Sequence, residues 1–446
     1  MEATGIAAPQ RAAIEPPTFG GELATDAKAL AQYTERVEEL LEELPAKPER
    51  TAEQQVRAGD IHEAARRQRA RFMHIHGDQV YAELTEGQTL HLRLPELVYG
   101  AAELFTGLVP TRAQVAQERE RVQAAKEGRE IDQGIFFGSL LRRTEVATHL
   151  TEAMQLPTQQ ARRLLGEFRR AGSVTLGSVT VERRGAAGHI TMSNVKCLNA
   201  EDDPSVGDME TAVDLVLLDD DIRVGVLRGG PMTHPRYHGR RVFSAGINLT
   251  DLHHGQISYV DFLLRREIGY INKILRGLLV DPDPAAWPQR TVQKPWLAAV
   301  DTFAIGGGAQ LLTVFDRVIA AADAYFSLPA AQEGIVPGVS NLRLSRHGGG
   351  RLARQVILWG RKIYAHEAAG AAFRDEVVEP SSMDSAVEAG VDRLDSPAVV
   401  ANRAMLNLAD EPVDRFHAYL AEFAVRQARR LYSEDVLAKV GRAWAR

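Results

Sequence analysis

The 446-residue chain carries a single cysteine, Cys197. No intrachain disulfide can form, and a metal cluster held by several cysteines is excluded. Charge of one sign is not in large excess, with 53 basic and 59 acidic residues and a net charge of -6. Such a balance gives no reason to expect nucleic acid as a partner. No long apolar run is present, so no membrane span is expected. Residues 1–20 contain Pro9, Glu15, Pro16 and Pro17 without a continuous apolar stretch, so no secretory signal is expected and the expected location is cytoplasmic. His74 and His76 alternate, but no acidic or cysteine partner lies nearby at a metal-ligand spacing, so no metal site is expected there. Internal repeats, low-complexity segments and a dinucleotide glycine fingerprint are all missing.

What is present is an ordinary globular balance, 45% hydrophobic and 25% charged, in a chain long enough for two or three domains. Leu30, Tyr33, Val37, Leu40, Leu41 and Leu44 form a helical stripe that Pro45 stops. Thr51 and Gln54 have capping-box spacing and open a second helix through Ile61 and Ala70. Arg66, Arg67, Arg69 and Arg71 on that helix read as a solvated face, with an anion-binding patch as the alternative. Helical patterns continue to Phe168.

Near Ser173 the pattern changes. Val179–Val181 and His189–Met192 are β-prone runs, with Gly185 and Gly188 suited to the turn between them. Further strands are expected at 222–227, 296–300 and 318–322, and a helix over Tyr259 to Leu279. Alternation of this kind predicts an α/β domain with much parallel pairing. From Met383 the chain is helical again, with breaks at Pro397 and Pro412. The division expected is 1–175, a helical N-terminal domain; 176–380, the α/β core; and 381–446, a helical C-terminal region.

Two glycine-containing loops stand out: Phe243-Ser244-Ala245-Gly246-Ile247-Asn248-Leu249 and Ala304-Ile305-Gly306-Gly307-Gly308-Ala309-Gln310. Each follows a β-type stretch. Glycines let a ligand approach the backbone, and a helix opening after them points free N–H groups at it. Such a place can hold an anion or a developing oxyanion. Taken singly, each is also readable as a tight turn at a strand end.

Together the loops carry a resemblance. Ile190-Thr191-Met192-Ser193 with Asn199-Ala200, then Phe243-Ser244-Ala245-Gly246, then Lys294-Pro295 with Ala298-Ala299-Val300 and Gly306-Gly307-Gly308, then Phe326-Ser327-Leu328-Pro329 with Gly334, Pro337-Gly338 and Arg343-Leu344, occur in this order. The stretch 179–380 resembles the crotonase, or enoyl-CoA hydratase/isomerase, superfamily. The resemblance implies a crotonase-type ββα spiral core that binds acyl-CoA thioesters, and a C-terminal helical trimerisation region. It places the two backbone donors for the thioester oxygen at Ile247 and Gly307. A larger side chain at Gly307 is expected to block the approach.

The departures from the hydratase pattern are as informative. The two glutamates that handle water in hydratases fall at Gln310 and Ala330, and neither residue is an ordinary general base. Glu333 lies three residues beyond Ala330, a displacement expected to take it off the same point. Asn248 stands where an aspartate is common. With the long helical N-terminal region, Val260-Asp261-Phe262-Leu263, Arg265-Arg266-Glu267 and Ser327–Gly334, this pattern resembles an oxidative branch of the superfamily. The implied reaction joins an aryl-acetyl-CoA to O2, with no metal and no organic cofactor, and releases an arylglyoxylate and free CoA; a role in antibiotic biosynthesis goes with it. The aryl ring and the thioester would both spread the charge left by α-proton loss, and the enolate would reduce O2 in a water-poor pocket.

Further contacts follow from the same resemblance. Glu201 is a candidate for a ring hydroxyl, or is a loop acid beside Asp202 and Asp203. Arg266 is a candidate for a polar end of the substrate, with Arg265 as the alternative. Gln310 is expected to hydrogen-bond the substrate. Ala245, Gly246, Asn248 and Leu249 lie on the first loop. His234, Arg236 and Tyr237 precede it and are candidates for CoA contact, or form a solvated loop. Val195, Leu198 and Ala200 are candidates for the adenine and pantetheine path. Leu249, Phe262 and Leu311 are candidate walls for O2, or ordinary core. Cys197 is expected to be a packed thiol. A homotrimer or dimer of trimers is the expected assembly. Two other readings stand beside this one: acyl-CoA hydrolysis or isomerisation without O2, and a non-catalytic acyl-CoA-binding scaffold.

Overall fold

Gly172, at a φ of 72°, ends the helix Gln159–Ala171 and turns the chain into its first strand, Ser173–Leu176. An L side chain rarely adopts that backbone conformation, so glycine suits the junction. The computed structural model describes residues 15–444 apart from 284, 287 and 288. Residues 1–14, which carry part of the reading on a secretory signal, lie outside the described residues, as do the last two. Among the described residues no helix is long and apolar enough to cross a membrane.

Before Gly172 the described chain is helical. Leu23–Glu42 buries Leu30, Tyr33, Val37 and Leu41, the expected stripe. The Thr51–Gln54 capping box forms, and its helix runs unbroken from Ala52 to Leu84, well past Ala70. The expected solvated arginine face is corrected at two positions, because Arg66 and Arg69 are buried. Arg69 donates to Asp132 at 3.0 Å and to the Gly107 carbonyl, and Arg66 donates to the Gly128 carbonyl. This helix packs against both Leu23–Glu42 and Glu130–Leu141, so its basic residues become internal ties. His76 is buried against Asp26 at 2.7 Å, an acidic partner fifty residues away in the chain.

Beyond Gly172 the main sheet has seven strands: Ser173–Leu176, Val179–Arg184, Ala187–Met192, Val224–Gly229, Trp296–Val300, Arg317–Ala321 and Glu376–Val378. Their spatial order is their chain order. The first three form an antiparallel meander and the rest pair parallel. Trp296–Val300 is buried at every position, as a central parallel strand requires. Gly188 lies inside a strand rather than at the turn, where a Cβ would come within 2.8 Å of Val216. A second sheet pairs Phe303–Ile305 with Tyr325–Ser327 in parallel, and Tyr325–Ser327 with Ile363–Tyr364. Twice, therefore, the chain runs from the main sheet to the small sheet and into a short helix, Gly307–Leu311 or Ala330–Glu333. That repeated strand–strand–helix step winds the core as a spiral and brings both helix starts to one end.

The helix expected over Tyr259 to Leu279 is broken. Tyr259–Leu264 is a π-turn, Gly269 leaves the helical region at φ -91° and ψ -111°, and Leu278–Leu279 is a strand. The C-terminal region has helices Met383–Leu394, Pro397–Asp410, Val413–Leu431 and Glu434–Trp444, with Pro397 in a first turn and Pro412 just before one. Val413–Leu431 lies along Glu130–Leu141. Small residues allow that approach: a Cβ on Gly134 would meet Ala428 at 2.6 Å, and one on Gly138 would meet Val425 at 2.6 Å. The last long helix is thereby held between the N-terminal helices and the core.

Candidate active site

Asn199 explains its own place in the sequence. Leu198 and Asn199 both have φ of 56°, a left-handed conformation that is costly for non-glycine residues. The Asn199 amide offsets part of that cost by donating to the carbonyls of Met192 and Val242. It thus fastens the end of a main-sheet strand to the approach of the first glycine loop. The two segments then run side by side: Glu201 N–H donates to Gly246 at 2.7 Å, and Asn248 N–H donates to Glu201 at 2.9 Å. Both bonds flank Ile247, so the Ile247 N–H points to the opposite side.

Gly246, at φ 91°, makes the bend before Ile247. Its Cβ, if it had one, would lie 3.1 Å from the Ile305 carbonyl and 3.4 Å from the Gly307 nitrogen, so the two loops touch through bare backbone. Gly306 has φ 53° and ψ -120° and turns the second loop into the helix Gly307–Leu311. Gly308 abuts Ser244, whose carbonyl accepts from Ile305 N–H at 2.9 Å. The Gly307 N–H opens a helix, where amides have no intrahelical partner. Ile247 and Gly307 line one cavity of about 160 Å³. Two such donors facing one space can hold a carbonyl oxygen as negative charge builds on it.

Behind Gly307 lies a buried polar network. Arg266 donates to the Gly307 carbonyl at 2.8 Å, pairs with Glu201 at 2.9 Å and reaches Glu267 at 3.2 Å. Tyr270 donates its hydroxyl to Glu201 at 2.6 Å. Burial opposes the charge of Arg266, but Glu201, Tyr270 and Glu267 outweigh it and hold the guanidinium pKa above its usual value. Burial, with Glu201 beside it, keeps the Tyr270 phenol protonated well beyond its ordinary range. Gln310 Nε2 donates to Glu267 at 2.5 Å, which leaves the Gln310 oxygen as its free acceptor. Glu267 also accepts from Val339 N–H at 3.1 Å.

The structure brings together Glu201, Ala245, Gly246, Ile247, Leu249, Phe262, Arg266, Gly307 and Gln310 around this cavity. Arg265 turns away and pairs with Glu210 at 2.7 Å. Asn248 caps the helix Leu249–His253 through Thr250 and Asp251 N–H, a local structural task. Leu311 is buried beside the cavity without lining it. Val195, Leu198 and Tyr237 lie apart from the cavity lining, in a small apolar cluster shared with Ala245 and Ile305. Tyr237 packs edge-on against Phe303, and Arg236 sits over Tyr237. His234 caps that turn by accepting from Arg236 N–H. Cys197 is half-buried, and burial first, then Asp202, pushes its thiol up to about 11.

Other lining residues were not anticipated from the sequence. Glu267 directly follows Arg266. Leu263 joins Phe262 because the π-turn presents consecutive residues. Phe423 and Gln427 come from the far helix Val413–Leu431, and Gln427 accepts from Val336 N–H at 2.8 Å. Glu333 is displaced from the position of Ala330, yet it still reaches the cavity. Ala330 and Glu333 sit one turn apart on the helix Ala330–Glu333 and line the same cavity, because helical spacing returns a residue three positions on to the same side. Among the described residues, no group of three or more His, Cys, Asp or Glu is placed to hold a metal ion.

A family model described as Enoyl-CoA hydratase/isomerase matches residues 284–418. The (3,5-dihydroxyphenyl)acetyl-CoA 1,2-dioxygenase of Amycolatopsis orientalis is 54% identical over 425 residues, covering 95% of this chain and 97% of that protein. The short-chain-enoyl-CoA hydratase of Clostridium acetobutylicum is 28% identical, covering 51% of this chain and 78% of that protein. The crystal structure of an enoyl-CoA hydratase from Mycobacterium avium subsp. paratuberculosis K-10 aligns with a TM-score of 0.50 at 19% identity, over 60% of this chain and 99% of that one. The hydratase likenesses cover 51% and 60% of this chain, whereas the dioxygenase likeness covers 95% of it and so takes in most of the N-terminal helices. The chain belongs to the crotonase, or enoyl-CoA hydratase/isomerase, superfamily, in the branch that contains that dioxygenase.

Proposed function

We propose that the chain is a dioxygenase that converts 3,5-dihydroxyphenylacetyl-CoA and O2 to 3,5-dihydroxyphenylglyoxylate and free CoA, with neither metal nor organic cofactor. The observation that carries this reading is the cavity itself. It joins two backbone donors, at Ile247 and Gly307, to apolar walls such as Leu249 and Phe262, with Gln310 and Ala330 in place of the water-handling carboxylates. Loss of the α-proton places negative charge on the thioester oxygen between the two amides. The carbanion form of this enolate passes electrons to O2, and a peroxide forms on the α-carbon. Its terminal oxygen attacks the thioester carbonyl and expels CoA. The remaining α-C–H bond then breaks, giving its proton to water; its electron pair forms the keto C=O as the O–O bond cleaves to a carboxylate, so both oxygen atoms of O2 enter the product. Glu201 and the Gln310 oxygen supply polar contacts for the ring hydroxyls.

The proposal also assigns the three parts of the chain. Residues 176–380 carry the donors, 381–446 close the cavity through Phe423 and Gln427, and 1–175 buttress that closure. The Val195, Leu198 and Tyr237 cluster is the proposed CoA path. A homotrimer or dimer of trimers is supported by the exposed Met405, Leu406 and Leu408 on Pro397–Asp410. A cytoplasmic location is part of the same reading.

An oxygen electrode with a thiol assay tests the reaction. Equal O2 uptake and CoA release, unaffected by exhaustive chelation, is the expected result. Substrate turnover that proceeds equally well without O2 would replace the reading with a hydrolase or isomerase.

A further inference from the structure

The proposed reaction needs an acceptor for the α-proton, and the positions where hydratases keep carboxylates hold Gln310 and Ala330. Three carboxylates line the cavity: Glu201, Glu267 and Glu333. Two of them are committed. Glu201 accepts from Arg266 and Tyr270, and Glu267 accepts from Gln310, Arg266 and Val339 N–H. The oxygens of both are occupied by these donors, and a further proton on either would displace one of the hydrogen bonds. Glu333 differs, since no ion pair or side-chain hydrogen bond engages its carboxylate among the described residues. It lines the cavity and is also solvent-exposed. It stands one helical turn beyond Ala330 on the cavity side of Ala330–Glu333.

We infer that Glu333 is the catalytic proton acceptor, replacing from one turn further along the carboxylate missing at position 330. This inference rests on the dioxygenase reading for its substrate. The α-C–H bond breaks and the proton passes to a carboxylate oxygen of Glu333. The electron pair enters the enolate, whose oxygen lies between the Ile247 and Gly307 amides. Exposure gives Glu333 a second use: the proton is handed to water, and the carboxylate is ready for the next turnover. Ala330 leaves the space between Glu333 and the thioester open, whereas a longer side chain at 330 would fill it.

The test is α-proton exchange in D2O without O2, read by mass spectrometry of the recovered thioester. Glu333→Gln should lower the exchange rate about a hundredfold or more, the range of a lost general base. The dissociation constant of the acyl-CoA should stay within about twofold, because the isosteric amide keeps the size of the side chain. Glu333→Asp should restore part of the rate, and the acid limb of the unaltered protein's exchange–pH profile should be gone in Glu333→Gln. Exchange in Glu333→Gln at the unaltered rate, or a loss matched by an equal loss of binding, would overturn the inference. Absence of O2 uptake by the unaltered protein would instead overturn the dioxygenase reading, since the exchange assay uses no O2.

Discussion

Arg266 holds the carbonyl of Gly307 at 2.8 Å with the same terminal nitrogen that lies 2.9 Å from Glu201. One guanidinium therefore connects the loop before the helix Asp203–Leu218 to the helix start that supplies a cavity amide. Only glycine fits beside this pair: a Cβ on Gly307 would lie 2.6 Å from Glu201 Oε2 and 3.1 Å from Arg266. The charge is not presented to the cavity as a free cation. It is spent on the backbone that shapes the donor site.

Replacing Arg266 with lysine tests that reading. Lysine has one compact charged group and cannot bond Glu201, Glu267 and the Gly307 carbonyl at once. Removing one partner of a buried pair costs about 3–5 kcal/mol because the other charge is left without compensation. Arg266→Lys should therefore reduce kcat by about a hundredfold, comparable to losing one oxyanion donor. Steady-state O2 uptake measures it. A kcat within threefold of the unaltered protein would show that the Gly307 peptide is held well enough by the loops alone.

A second prediction concerns stability. The closest helix contact rests on Gly134 and Gly138, where a Cβ would press on Ala428, Ala424 and Val425. Gly134→Val should destabilise the fold by about 1–3 kcal/mol through overpacking. Gly166→Ala is the matched control, because that glycine has nothing within 4 Å of an added Cβ and lies in the helix Gln159–Ala171. It should be neutral or stabilising by up to about 1 kcal/mol. Urea denaturation midpoints decide both.

The two donor loops were legible in the sequence because their constraints are local. Gly246 and Gly306 need unusual backbone angles, and Gly307 and Gly308 need close approach, so the glycines had to be written there. The runs Val179–Val181 and His189–Met192 and the buried run Trp296–Val300 were legible for the same reason, whereas the strand Ser173–Leu176 was not. Arg266 and Glu201 could each be picked out, but their pairing could not, since they lie 65 positions apart with a helix, a sheet strand and the first glycine loop between them. Phe423 and Gln427 were hidden because their helix reads as an ordinary amphipathic segment, and only the crossing with Glu130–Leu141 directs them to the cavity. Arg66 and Arg69 misled for a related reason. A basic face looks solvated until the helices on either side supply Asp132 and two carbonyls. The displacement of Glu333 from position 330 was legible, but its place on the same cavity depended on the helix Ala330–Glu333, which had not been expected.

A third prediction follows from a buried histidine. His417 is held by Thr151 at 3.2 Å, and burial, then Arg276, lowers its pKa to about 4 from a model-compound value of 6.5. The folded state thus binds fewer protons than the unfolded chain between those two values. Stability contributed by the neutral ring is complete above about pH 6.5 and is lost as pH falls toward about 4. Moving from about pH 7.5 to about pH 5 should cost about 2 kcal/mol through this group. His417→Gln should remove that share, so its denaturation midpoint should depend less on pH than that of the unaltered protein. An equal dependence in the two proteins would contradict the assignment.

The last prediction links the N-terminal helices to the choice of O2 as reactant. Glu130 is buried and accepts from Tyr259 N–H at 2.8 Å through one oxygen and from the Tyr432 hydroxyl at 2.5 Å through the other. Tyr259 opens the π-turn that carries Phe262 and Leu263, and its hydroxyl donates to Ala424 at 2.8 Å. Tyr432 ends the helix that carries Phe423 and Gln427. One carboxylate therefore sets the spacing between two apolar cavity walls without touching the cavity. Glu130→Ala should raise the KM for O2 about tenfold, because a small misplacement at a reacting site is costly. It should leave anaerobic α-proton exchange within about twofold, because the Ile247 and Gly307 amides are held by other bonds. Tyr432→Phe should move the KM for O2 in the same direction by a smaller factor. A general structural weakening would lower both activities together, so a parallel fall in exchange and O2 uptake would remove Glu130 from the oxygen step and leave it a packing residue.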